Sequence, residues 1–198
     1  MSDDANALAR VYLVRHGETE WSLSRQLTGR ADISLTARGE QDARALAPQL
    51  REIRFAQVLV SPLLRARQTA NLAGFGARAQ PDPDLMEWDY GTYQGRRAAE
   101  IQVERPGWNL FEHGCPEGET LSAVGERADK VVQSLRAVAG DVLVFAHRDI
   151  LRVVIARWLR LPPLEARRFY LDTASLSILG YQHNLDEPVV RLLNGSGR

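Results

Sequence analysis

The sequence predicts an α/β protein: a three-layer αβα sandwich with a mainly parallel central sheet and a small helical insertion over the candidate site. Two observations carry that prediction. Short apolar runs of strand length alternate with segments whose apolar residues recur at spacings of three and four, the pattern of a parallel sheet covered on both faces by helices. In addition, three of the runs (Val11–Val14, Gln57–Val60 and Val142–Ala146) each deliver basic residues at or just past the carboxyl end. That edge is where parallel α/β sheets bind ligands.

In chain order, residues 1–9 read as a loose tail. The first strand runs into Arg15-His16-Gly17, where Gly17 is expected to allow a sharp turn. Thr36 is the expected N-cap of an amphipathic helix marked by Ala43, Leu46, Ala47 and Leu50, with Pro48 kinking its last turn. The second strand leads into Ser61 and Pro62, read as N-cap and first residue of another helix, which places Arg65 in its first turn. That helix is expected to end near Gly74-Phe75-Gly76.

From Met86 to about Glu119 periodicity is weak and Gly, Pro and aromatic residues are frequent, so this stretch is read as the insertion. Its Trp108 and Phe111 either line a substrate pocket or anchor the insertion to the core. Leu121, Val124, Ala128, Val131, Leu135 and Val138 mark a third helix ending near Gly140. A fourth follows His147, with Ile150, Leu151, Val154, Ile155, Trp158 and Leu159 on its apolar face and Pro162-Pro163 as its stop. Arg152, Arg157 and Arg160 are assigned to its wet face. Ser175–Leu179 and Val189–Leu193 read as late strands.

The 198 residues are one domain's worth of chain, taken as a single domain over 1–198 with the insertion at about 86–119. Formal net charge is zero, which argues against a general nucleic-acid or anionic-membrane surface, so any attraction for phosphate must be local. The single cysteine, Cys115, allows no internal disulfide and fits a reducing compartment. It has no nucleophile signature around it. Neither a signal core nor an apolar run of spanning length is present, and a cytoplasmic enzyme is expected. His113 and His183 lack metal-ligand spacing, and no metal or cofactor is expected. The sequence does not fix an oligomeric state.

The three basic strand ends suggest an anion pocket. Arg15 is a permanently charged fork suited to phosphate oxygens, and His16 can act as a nucleophile at neutral pH. A solvated arginine beside a hydrogen-bonded core histidine would explain Arg15-His16-Gly17-Glu18-Thr19 alone. It does not predict Arg65 and His147-Arg148 at two further strand ends. A proton donor is available in Met86-Glu87-Trp88-Asp89-Tyr90: aromatic surroundings raise a carboxyl pKa, which favours Glu87, with Asp89 a rival on composition.

These residues carry a resemblance. Arg15-His16-Gly17, Arg65 within Ser61-Pro62-Leu63-Leu64-Arg65-Ala66-Arg67-Gln68-Thr69, Glu87-Trp88-Asp89-Tyr90-Gly91 and Ala146-His147 together resemble the histidine phosphatase superfamily, in the branch with cofactor-dependent phosphoglycerate mutases. The match runs from about Val11 to about Leu161. It implies a phosphohistidine mechanism with His16 as nucleophile, Glu87 as proton donor, and Arg15, Arg65 and His147 as the phosphate clamp.

The stretches from Glu20 to Gly29, Glu87 to Gly91 and Trp108 to Pro116 look like the sedoheptulose-1,7-bisphosphatase type. Ser22 and Trp88 stand where mutases usually carry asparagine and arginine. Ser22, Leu27, Thr28, Tyr90 and Arg148 are expected at the substrate. Arg148 stands where many relatives have glycine, its side chain directed either to the pocket rim or to solvent. The resemblance implies a metal-independent phosphatase acting on small sugar phosphates or bisphosphates. A phosphoglycerate mutase and a non-catalytic phospho-ligand-binding module are the alternatives.

Overall fold

The computed structural model describes residues 8–196. Its centre is a six-stranded sheet of β1 (Val11–Arg15), β2 (Gln57–Val60), β3 (Gln80–Pro81), β4 (Val142–Ala146), β5 (Leu176–Tyr181) and β6 (Pro188–Gly195), in the order β3-β2-β4-β1-β5-β6. The β1–β4, β2–β4 and β2–β3 pairs are parallel; β5 runs antiparallel to both β1 and β6.

Side-chain alternation along the strands divides the core in two. Val11, Leu13, Leu59, Val142, Val144 and Ala146 pack on one face, with helices α7 (Leu121–Ala137) and α8 (Arg148–Trp158). Tyr12, Val14, Val58, Val60, Leu143 and Phe145 pack on the other, toward α2 (Ala37–Ala45), α3 (Ala47–Leu50) and α4 (Leu64–Leu72). The expected three layers follow. Segment 86–119 holds α5 (Ala98–Glu104) and α6 (Leu110–His113), and α1 (Glu20–Leu23) lies after β1.

Local chemistry sets most boundaries. The Thr36 side chain accepts from the Gly39 N–H as the N-cap of α2, and Thr120 does the same for α7 from Ala123. Pro48 divides rather than kinks its helix, because α2 ends at Ala45 and α3 restarts with Pro48 in its first turn. The second helix starts later than the sequence suggested: its N-cap is Leu63, not Ser61, though Arg65 still falls in the first turn. Helix α8 stops at Trp158, before the two prolines, and Arg160 takes a left-handed φ of 61°. Arg152 is not on a wet face; its side chain is 15% exposed, pairs with Asp149 and lies over the Phe111 ring.

Trp108 and Phe111 are anchors. Both are buried, Trp108 edge-on to Tyr93 and Phe111 edge-on to Trp88. Among the described residues no helix is long and apolar enough to cross a membrane.

Candidate active site

Three adjacent strands end at one place. Past β1, β2 and β4 the pairing continues for one more residue, with the His16 N–H on the Ala146 carbonyl (3.0 Å) and the Ser61 N–H on the Phe145 carbonyl (2.9 Å). This sets His16, Ser61 and His147 side by side at the sheet edge, and the two imidazoles lie 5.2 Å apart between ring centroids. The loop after His16 is clamped from two sides. The Gly17 N–H donates to Thr69 Oγ1 (3.0 Å), and a Cβ at Gly17 would fall 2.5 Å from the Gly39 carbonyl oxygen. Gly17 is therefore required for close approach to α2, and its φ is not positive, so the turn there does not use the left-handed region.

A cavity of about 520 Å³ opens above this edge, a size suited to a small organic ligand. Arg15, His16, Arg65, Glu87, Ser22, Leu27, Thr28, Tyr90 and Arg148 all line it. His147 sits behind, fully buried. Of the 86–119 segment, only Glu87, Tyr90 and Ala98 reach the wall. Asp89 does not line it; its carboxylate accepts from the Gly91 N–H and faces Arg30. Arg148 takes the rim orientation, with Nε and Nη2 each 3.2 Å from the Asp149 carboxylate.

The hydrogen bonds define protonation states. His16 Nδ1 lies 2.7 Å from the Gly17 carbonyl, which only accepts, so the ring proton sits on Nδ1 and Nε2 keeps its lone pair. Burial holds the His16 pKa well below its ordinary value, and Arg65 and Arg15 depress it further. His147 is likewise depressed by burial and by Arg65. Its Nε2 is 2.7 Å from Ser61 Oγ, a hydroxyl that also accepts the Leu63 N–H (3.3 Å) and can either donate to the imidazole or accept from it. Among the described residues, His147 Nδ1 is buried with no hydrogen-bond partner. With Ser61 donating to Nε2, a neutral His147 carries its proton on Nδ1, where it can donate to an anion.

Arg15 and Arg65 carry the local charge. Arg65 is fully buried, donating only to the neutral carbonyls of Ala31 and Gly29 at 2.8 Å each. Arg15 Nη1 donates to the Leu171 carbonyl (2.6 Å). Burial, then Arg148, lowers the Arg15 pKa to about 10. Among the described residues, the Nε–H groups of both arginines are buried with no partner. Buried donors without partners are costly and mark a place where an anion is favoured.

Glu87 supplies the opposite chemistry. Its Oε1 accepts from the N–H groups of Trp88 (3.0 Å), Ile150 (3.0 Å) and Asp149 (3.2 Å), so the first turn of α8 holds that oxygen. Oε2 shares only the Asp149 N–H at 3.2 Å. Burial and the neighbouring Asp149 carboxylate raise the Glu87 pKa against those N–H bonds, and Oε2 is the less bonded of its two oxygens. Asp149 itself is held well below the carboxylate range: burial opposes ionisation, but Arg148 and Arg152 outweigh it. Its Oδ2 also accepts the Tyr90 hydroxyl at 2.5 Å.

Sequence reasoning missed several of these residues. The sequence reads Ser61 as a cap and gives no sign that Asp149, a lone carboxylate in the first turn of an apolar helix, joins the site. Arg25, Tyr170, Asp172 and Thr173 also line the cavity. The last two arrive because β5 is antiparallel, so its amino end lies at the edge formed by the parallel strands' carboxyl ends.

His113 and His183 lie exposed away from the cavity, and among the described residues no group of three or more His, Cys, Asp and Glu is placed to hold a metal ion. Burial pushes the Cys115 thiol up to about 12, far from a reactive thiolate.

A nucleophile-ready imidazole among buried cations, beside a buried carboxyl, is the arrangement of a phosphoryl-transfer enzyme. Residues 11–194 match the model of the histidine phosphatase superfamily (branch 1), and the chain belongs to that family. It is 38% identical to an acid phosphatase of Mycobacterium tuberculosis over 94% of this chain and 93% of the relative. It is 32% identical to the sedoheptulose 1,7-bisphosphatase of Saccharomyces cerevisiae, covering 92% of each. The solved structure of a Mycobacterium tuberculosis open reading frame product superposes with a TM-score of 0.90 at 36% identity, over 96% of this chain and 99% of that one. The chain is a phosphomonoester hydrolase of this family.

Proposed function

We propose that the chain hydrolyses small sugar phosphates or bisphosphates without a metal, through a phosphohistidine on His16. The observation that carries the reading is the His16 tautomer: Nδ1 is locked on the Gly17 carbonyl, so Nε2 is an unprotonated nucleophile in a cavity with two arginines. Arg15, Arg65 and the Nδ1–H of His147 hold the phosphoryl oxygens as charge builds on them. His16 Nε2 attacks phosphorus, the bond to the ester oxygen breaks, and the Glu87 Oε2 proton passes to the leaving alkoxide. Glu87, now a carboxylate, takes a proton from water as that water attacks the phosphohistidine; the P–N bond breaks and phosphate leaves.

Ser22, Leu27, Thr28 and Tyr90 form the wall facing the leaving group on this reading, and the 86–119 segment closes one side of a single catalytic domain. The sugar class is supported by the polar lining, where Glu18, Ser22, Thr28, Asp172 and Thr173 offer partners for hydroxyls, and by the similarity to a sugar bisphosphatase. A single cysteine fits action in the cytoplasm.

The test is quenching in alkaline detergent during turnover of a ³²P-labelled sugar phosphate, followed by peptide mapping at alkaline pH. An acid-labile label on the His16 peptide is expected. A labelled peptide elsewhere, or a folded His16→Ala protein with near-normal turnover, overturns the reading.

A further inference from the structure

Helix α1 ends in a Schellman arrangement. The Gln26 N–H donates to the Trp21 carbonyl (2.8 Å) and the Arg25 N–H to the Ser22 carbonyl (3.3 Å). That motif requires a left-handed residue at the first position past the cap, and Arg25 has φ 61° there. Glycine is the usual occupant, because a Cβ is strained in this conformation. Here an arginine occupies the position and lines the cavity. Its backbone is strained at a ligand cavity, a combination that points toward a functional constraint.

The charges in the cavity are unevenly placed. Glu18, Asp172 and Thr173 mark the side where a second cavity adjoins, and Arg25 is not among the residues shared with it. Glu18 is engaged with the Thr36 hydroxyl (2.7 Å) and Asp172 with the Asn194 amide (2.9 Å). Arg25 is solvent-exposed, while the Arg148 side chain is 40% exposed with one edge on Asp149. Arg15 and Arg65 belong to the reacting phosphate on the reading above. Arg25 and Arg148 are further cations on the same cavity, beyond what one phosphate requires.

We propose that Arg25, assisted by Arg148, forms a second anion-binding subsite at the mouth of the cavity, for a phosphate or carboxylate carried by the leaving group. This rests on the reading of the cavity as a sugar phosphatase site, and names the substrate class within it: a phosphomonoester with a second anionic group.

Arg25→Gly is the test, since glycine fits the left-handed position. Relief of strain should raise Tm by about 2–4 °C. Loss of a charge-assisted contact should lower kcat/KM for fructose 1,6-bisphosphate about tenfold, mainly through KM. Fructose 6-phosphate should change less than about threefold, having no second anion to lose. Including 3-phosphoglycerate separates the two anions: a selective loss on either acid supports the subsite and says which group it takes. Equal changes on all three substrates, or no change, overturn it. Arg25→Gln, which keeps a side chain, should give the same selectivity if glycine alters the loop. Failure of the parent protein to hydrolyse any of the three would count against the phosphatase reading itself. Calorimetric titration of His16→Ala, with and without Arg25→Gly, then decides the subsite: selective weakening of bisphosphate binding supports it, and equal affinities overturn it.

Discussion

The floor and the mouth of the cavity are built by different physics. At the floor, Arg65 and His147 are 0% exposed, His16 3% and Glu87 4%, and each is fixed by backbone groups or by a buried side chain. At the mouth, Leu23 is 62% exposed and Tyr170 67%, and the positions depend on loops. A buried donor or acceptor has few alternative partners, so the floor has one arrangement and one chemistry. The exposed mouth can change residue by residue without cost to the core, which is where substrate choice is expected to reside.

If that division is right, substitutions at the floor should remove rate and those at the mouth should redistribute it among substrates. The largest effect is expected at His16. His16→Ala should lower kcat by about 10³-fold or more while the protein stays folded, measured by steady-state turnover and circular dichroism. Glu87→Gln follows, with a loss of about 10²–10³ on a sugar phosphate. The loss should be clearly smaller on 4-nitrophenyl phosphate, whose leaving group needs little protonation. Equal losses on both would remove Glu87 from the proton-donor role.

Ser61→Ala probes a residue that touches the site only through another. His147 Nε2 would lose its partner and the Nδ1–H tautomer its enforcement, so kcat/KM should fall about tenfold on every substrate alike. Ser61→Thr, which keeps the hydroxyl, should recover most of it. A selective effect on one substrate would blur the line between floor and mouth.

The floor also predicts a stability profile. His16 and His147 have depressed pKa values, so below about 6.5 the unfolded chain binds protons that the native state refuses. Tm in phosphate-free buffer should therefore fall from pH 7.5 to 5.5. Glu87 has a raised pKa, binds its proton more readily in the native state, and works in the opposite direction. His16→Ala should make the decline shallower and Glu87→Gln steeper.

The floor was also the legible part of the sequence. His16, Arg65 and His147 follow strands or caps whose apolar patterns are local, and parallel pairing of those strands brings their ends together without further information. The three-layer architecture followed from the same alternation. What stayed hidden depended on chain direction or on a partner far away in sequence. Asp172 and Thr173 reach the cavity only because β5 is antiparallel, a sense that an apolar run does not encode. Arg152 reads as a surface residue until Asp149 and the Phe111 ring are known to lie beside it. Ser61 satisfies the rule for an N-cap, yet Leu63 takes that position and the Ser61 hydroxyl serves His147.

Arg148 lies on the boundary between the two regions and gives the smallest expected effect. Its guanidinium holds Asp149 at two nitrogens, so part of its charge is already spent inside the protein. Asp149 would keep Arg152 at 2.7 Å and the Tyr90 hydroxyl after Arg148→Gly, so the floor should survive the change. The consequence should then appear at the mouth, as a rise in KM for a bisphosphate about threefold larger than for the matching monophosphate. A fall in kcat on both substrates instead would mean that Arg148 acts through Asp149 on the seat of Glu87, whose carboxylate accepts from the Asp149 N–H. Arg148 would then belong to the floor, and the division between rate and selectivity would have to be drawn one residue farther out.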